Sequence, residues 1–218
     1  MKLARVYPIV ESAAWVQRLA ALGVRLVQLR IKEQARARLL PEILAARACA
    51  AAAGMQLIVN DHWELALEAG CNFVHLGQGD LDCADVPALR RAGVRLGVST
   101  HDEQELERAL ALEPDYVALG PIYPTLLKRM PWPPQGLERI SEWKRRVGEI
   151  PLVAIGGLTL ERLAGVFAAG ADAAAVVTDI VCNPDPETRT REWLVVAAEA
   201  CSELPERTRP KAICTTSL

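Results

Sequence analysis

No two of the six cysteines stand at a metal-binding spacing. Cys49, Cys71, Cys83, Cys182, Cys201 and Cys214 are scattered through the chain without a single CxxC. Reduced thiols in a cytosol are the expected state. Nor is there a run approaching the roughly 18 consecutive apolar residues that cross a bilayer. The opening residues, MKLARVYPIVES, lack the long apolar segment of a secretory leader, so a cytoplasmic location is expected. An excess of charge of one sign is missing as well, and a formal net charge of -2 argues against a general nucleic-acid or membrane binder. No Gly-x-Gly-x-x-Gly follows the first apolar run, which argues against a dinucleotide-binding sheet.

What is present is 218 residues, 51% of them hydrophobic, enough for one sizeable core. The segment 57–81, LIVNDHWELALEAGCNFVHLGQGDL, organises the chain. It reads as strand, turn, helix, strand, turn, and each strand hands over to a polar group containing one aspartate, Asp61 and then Asp80. Parallel neighbours lie about 4.8 Å apart. The two carboxylates are therefore expected to face one pocket from one sheet edge. The same alternation recurs along the chain. Strands are expected at 6–10, 25–32, 57–59, 73–74, 94–98, 115–119, 151–155 and 171–177, each followed by a helix. Eight such units imply a (β/α)8 TIM barrel of the α/β class, with an open doubly wound sheet as the alternative. The segment 122–135 is long, polar and proline-rich and reads as a functional loop. The catalytic domain is expected over 1–204, with 205–218 a mobile tail.

In a barrel the chemistry lies at the C-terminal ends of the strands, and the unusual polar groups here fall at such ends. Gln28, Arg30 and Lys32 alternate and share one face. Charge inside a barrel is costly unless paired, so the trio reads as a cationic grip on a polyanion. Asn60 and Asp61 also fit a helix cap, and Asp80 a turn. Taken together beside a basic strand, the two aspartates suit Mg²⁺ with phosphate and water completing its shell. His75, Gln78 and Ser99 each have an ordinary structural reading. Ser99 and His101 resemble a helix cap. Gly156 and Gly157 let backbone N–H groups approach a phosphate at the usual site after strands seven and eight. Thr125 and Lys128 fit a loop that carries a cation over the pocket. The residues alone thus predict a Mg²⁺-diphosphate pocket facing a phosphomonoester pocket, with the diphosphate as leaving group.

Seven ordered motifs then resemble one family, thiamine phosphate synthase. They are QLRIK (28–32), ND (60–61), VHLGQGDL (74–81), GVSTH (97–101), GPIYPT (120–125), AIGGL (154–158) and AVV (175–177). The resemblance covers about 6–180. It implies a (β/α)8 transferase of thiamine biosynthesis that joins hydroxymethylpyrimidine diphosphate to thiazole phosphate and releases pyrophosphate. It implies Mg²⁺ on Asp61 and Asp80, and the diphosphate on Arg30, Lys32, Asn60 and Lys128. Gln28, His75 and Ser99 would line the pyrimidine site, with Gln78 beside them. Thr125, Gly157, Val177 and Thr178 would serve the thiazole phosphate. Arg30, Lys32, Lys128 and Ser99 are expected to carry the reaction, in which diphosphate departs, a pyrimidine-stabilised carbocation forms and the thiazole nitrogen captures it. No general base is needed, in keeping with the absence of a nucleophile–base pair. The expected partners are these small molecules, not nucleic acid or membrane, and a homo-oligomer is compatible with the chain.

Two positions depart from the family pattern. Leu127 stands where a threonine is usual, and Asp179 stands where an alanine is usual. An inward Asp179 would repel the thiazole phosphate, and Leu127→Thr is expected to lower the apparent KM for that substrate. The alternatives are a thiazole tautomerase, which needs no diphosphate grip, and a catalytically weakened barrel that binds a thiamine precursor.

Overall fold

The computed structural model describes residues 3–32, 34–125 and 132–202; Leu127, Lys128 and the tail expected at 205–218 lie outside the described residues. Eight strands alternate with helices: β1 (Val6–Val10), α1 (Ala13–Ala21), β2 (Leu26–Leu29), α2 (Arg36–Ala52), β3 (Gln56–Asn60), α3 (Trp63–Glu68), β4 (Phe73–Leu76), α4 (Val86–Arg91), β5 (Arg95–Thr100), α5 (Glu103–Ala111), β6 (Tyr116–Leu119), α6 (Gly136–Val147), β7 (Leu152–Ile155), α7 (Leu160–Ala168), β8 (Ala173–Val176), α8 (Thr178–Val181) and α9 (Pro186–Ser202). The strands pair in parallel in sequence order, and β8 closes on β1 with Tyr7 opposite Ala175. The structure is therefore a closed (β/α)8 barrel and not the open sheet. Among the described residues no helix is long and apolar enough to cross a membrane.

The period of two along each strand separates two cores. Outward residues such as Val27, Leu29, Val59, Val98 and Val117 pack under the helices. Inward residues form a second cluster that includes Tyr7, Leu26, Ile58, Phe73, Tyr116 and Val153, with the small Ala173 of β8 beside them. Two places further along the same inward face, β2 to β5 present a different kind of residue. Gln28 follows Leu26, Asn60 follows Ile58, His75 follows Phe73, and Ser99 follows Gly97. The lower residues plug the barrel and the upper ones line a cavity above the plug. Outside the cavity, two buried polar side chains satisfy each other. Trp143 of α6 donates to Thr100 Oγ1 at 3.0 Å, and Thr100 donates to the Ala118 carbonyl at 3.0 Å.

Local boundaries differ from expectation in identifiable ways. The strand expected over 25–32 is only Leu26–Leu29. The Arg30 N–H still reaches the Val10 carbonyl at 2.7 Å, so the backbone leaves the sheet just past that residue. Asp80–Asp82 forms a 3₁₀ turn and α8 is a short helix that hydrophobic spacing did not reveal. The last helix, which the sequence suggests over 189–204, begins at Pro186 because Asp185 caps it, accepting from the Thr188 N–H at 3.1 Å.

Candidate active site

A cavity of about 480 Å³ opens at the C-terminal ends of the strands. Its acidic side is built by β3 and β4. Asp61 follows β3 in the left-handed region, φ 59°, a conformation uncommon outside glycine. Its N–H is tied to the His75 carbonyl at 3.0 Å, so neighbouring-strand pairing holds the strained residue in place. Asp80 enters from the loop after β4, where its Oδ2 accepts from the Gly77 N–H at 3.0 Å. Burial, then the charge and hydrogen-bonding influence of the neighbouring Asp80 carboxyl, hold the Asp61 carboxyl above its ordinary range, against the opposing charges of Arg30 and His62. Two hard oxygen donors this close share a proton or a cation. The donor set suits a small divalent ion that keeps water or phosphate as its other ligands. Among the described residues no cluster of three or more His, Cys, Asp or Glu offers an all-protein metal cage.

Arg30 and Asn60 line the cavity beside this pair. Asn60 is buried at the end of β3, and Arg30 caps the inward face of β2. Lys32 is placed differently from its neighbours in the motif. Past the end of β2 it is exposed and does not line the cavity.

The middle of the wall is a chain of hydrogen bonds. Gln28 Nε2 donates to Tyr7 Oη at 2.9 Å, and Tyr7 Oη lies 2.9 Å from Tyr116 Oη. Tyr116 Oη is 2.6 Å from His75 Nδ1, and His75 Nε2 is 2.8 Å from Ser99 Oγ. Gln78 Nε2 donates to the Ser99 carbonyl at 2.7 Å. Complete burial, reinforced by the charge of Arg30, pushes the His75 imidazole down to about 3, so it is neutral at physiological pH. Burial likewise raises both phenols above their ordinary values. Neither tyrosine was singled out from the sequence, although both occupy inward positions by strand parity.

The opposite side is formed by the loops after β6, β7 and β8. Thr125, Gly157, Val177 and Thr178 all line the cavity there. Gly157 has φ +64°, and a Cβ on it would lie 2.5 Å from the Pro124 carbonyl oxygen, so only glycine lets the two loops meet. Asp179 does not face this side. Its carboxylate turns to α9, accepting from Arg189 Nε at 2.9 Å, Arg189 Nη2 at 3.1 Å and Trp193 Nε1 at 2.6 Å. The repulsion expected of an inward Asp179 is therefore absent. At the mouth, Trp132 stacks on His101, ring centroids 4.0 Å apart. His101 Nδ1 is held by Glu105 at 2.7 Å, and the helix cap expected of Ser99 and His101 is supplied by Asp102 instead. The Trp132 contact had no signal in the sequence, because it joins residues separated by the loop.

Comparison with known proteins places this geometry. The family model for thiamine monophosphate synthase matches residues 6–180. The thiamine-phosphate synthase of Rhizobium etli is 61% identical over 198 residues, covering 91% of this chain and 97% of that protein. That of Klebsiella pneumoniae is 44% identical over 191 residues, covering 88% and 90%. Among solved structures, a thiamine phosphate pyrophosphorylase from Pyrococcus furiosus superposes with a TM-score of 0.80 at 23% identity, covering 90% of this chain and 96% of that one, a likeness of fold.

Proposed function

The chain belongs to the thiamine monophosphate synthase family, and from that premise we propose that it joins hydroxymethylpyrimidine diphosphate to thiazole phosphate, giving thiamine phosphate and pyrophosphate. The observation that carries the reading is that an acidic pair beside Arg30 and a glycine-lined loop cluster face each other across one cavity. A tautomerase acting on thiazole phosphate alone has no use for the first of these walls.

Asp61 and Asp80 would hold Mg²⁺, which when bound neutralises charge on the departing diphosphate. The charge of Asp80 beside the raised Asp61 carboxyl supports this assignment, since a cation held between them would relieve the repulsion that raises it. Arg30 offers a forked donor to phosphate oxygens and Asn60 a neutral one. Both groups stabilise charge that grows as the carbon–oxygen bond breaks. The resemblance to the family is what assigns Lys32 and Lys128 to the same diphosphate. Gln28, His75, Gln78 and Ser99 form a neutral polar wall suited to an aminopyrimidine ring. His75, held uncharged, adds no positive charge next to a developing carbocation, and the thiazole nitrogen needs no base to attack it. Thr125, Gly157, Val177 and Thr178 would seat the thiazole phosphate so that its nitrogen approaches the carbon the diphosphate leaves. Free Cys49, Cys71, Cys83 and Cys182 support a reducing, cytoplasmic setting.

The test is direct. Purified protein with both substrates and Mg²⁺ should form thiamine phosphate, and a chelator should stop it. Binding of the diphosphate without product, in folded protein, would show that the barrel serves another purpose.

A further inference from the structure

Tyr7 and Tyr116 are buried at the base of the pyrimidine wall, and Tyr7 reaches the cavity. Their protons can be traced. Gln28 Nε2 donates to Tyr7 Oη, so the Tyr7 hydroxyl passes its own proton to the neighbouring oxygen, Tyr116 Oη. Tyr116 in turn has His75 Nδ1 as its acceptor. An imidazole that accepts a hydrogen bond at one nitrogen is in its single-proton form. With Nδ1 accepting, that proton sits on Nε2 and is donated to Ser99 Oγ. Every proton in the chain then has an acceptor within it except the last, that of the Ser99 hydroxyl, and Ser99 is on the cavity wall. The Ser99 backbone is pinned separately by Gln78, so only the hydroxyl's direction remains to be set.

We propose that Tyr7 and Tyr116 are positioning residues that impose the Nε2–H tautomer on His75 and thereby present the Ser99 hydroxyl to the pyrimidine as a hydrogen-bond donor. The proposal rests on the synthase reading for its ligand but not for its hydrogen-bond direction. The complementary ligand atom is an unprotonated ring nitrogen; an N–H at the same place would meet a second donor and leave both unpaired. Turning the Gln28 amide over runs every bond the other way. It puts the proton on Nδ1 and makes Ser99 an acceptor, so the tautomer of one imidazole reports the direction of the whole chain.

The chain has only three histidines, which makes the tautomer readable by ¹⁵N NMR of histidine-labelled protein, with His75 assigned from its loss in His75→Gln. In the ligand-free wild type at pH 7, His75 should show the Nε2–H pattern, and Nδ1–H there would overturn the proposal. Tyr116→Phe, which keeps the ring and removes the donor, should shift His75 toward Nδ1–H. Kinetically, Tyr116→Phe should raise KM for the pyrimidine diphosphate roughly tenfold and leave KM for the thiazole phosphate unchanged. In a Ser99→Ala background the same substitution should add nothing, because the hydroxyl it orients is gone. Independent, multiplying effects would overturn the relay and leave Tyr116 a packing residue. A wild type that shows Nε2–H but makes no thiamine phosphate would overturn the synthase reading while supporting the hydrogen-bond direction.

Discussion

Gly97 faces the phenol ring of Tyr116 so closely that a Cβ on the glycine would lie 2.2 Å from two ring carbons. The ring cannot retreat, since its hydroxyl is hydrogen-bonded to Tyr7 and to His75. Gly97→Ala should therefore overpack the barrel, costing roughly 1–3 kcal/mol. Urea unfolding would measure it, and a loss within about 0.5 kcal/mol would mean the plug is softer than this packing implies.

Buried His75 ties stability to pH. Unfolded, its imidazole takes up a proton near 6.5; folded, it refuses one until about 3. The unfolded chain binds more protons between those values, so stability is full above about 6.5 and is lost as pH falls through the window, by about 1.4 kcal/mol per unit. Between pH 7 and 4.5 the wild type should lose roughly 2–3 kcal/mol more than His75→Gln does over the same interval. Equal losses in the two proteins would show that His75 is not held neutral.

Asp179 is a structural anion. Asp179→Ala leaves the Arg189 guanidinium and the Trp193 indole N–H without their acceptor, and a loss of roughly 1–3 kcal/mol is expected. KM for the thiazole phosphate should not move. A lower KM in this variant would restore Asp179 to the phosphate site.

Asp61→Asn tests the acidic pair without disturbing the backbone, because asparagine tolerates the left-handed conformation that Asp61 adopts. The Mg²⁺ concentration for half-maximal rate should rise and the rate should fall by at least about a hundredfold. An unaltered Mg²⁺ requirement would remove Asp61 from the metal site.

Strand parity and the βα alternation were enough to read the barrel, and strand ends were enough to bring Arg30, Asp61, Asp80 and Ser99 to one cavity. What the sequence concealed depends on where chains end and turn. Lys32 keeps the alternation of Gln28 and Arg30 on paper, but β2 ends before it, so parity no longer governs its direction. Asp179 reads as an intruder next to a phosphate loop until α9 is in place, since its partners Arg189 and Trp193 come later in the chain. The stack of Trp132 on His101 depends on how a long loop returns, which no local periodicity encodes. The Asp185-Pro186 start of α9 was missed by a reading from residue 189, although an aspartate followed by proline carries the signature of a capped helix start.

The inward face of each strand changes occupation within one two-residue step, from plug to cavity wall. Ligand preference and foldability are thus written on adjacent rungs of the same ladder, rather than in separate regions of the chain. A new specificity can arise by editing Gln28, His75 or Ser99 while Leu26, Phe73 and Gly97 below them go on holding the cylinder together. The exception is the tyrosine pair, which belongs to both rungs, and substitutions there should rarely alter one property without the other.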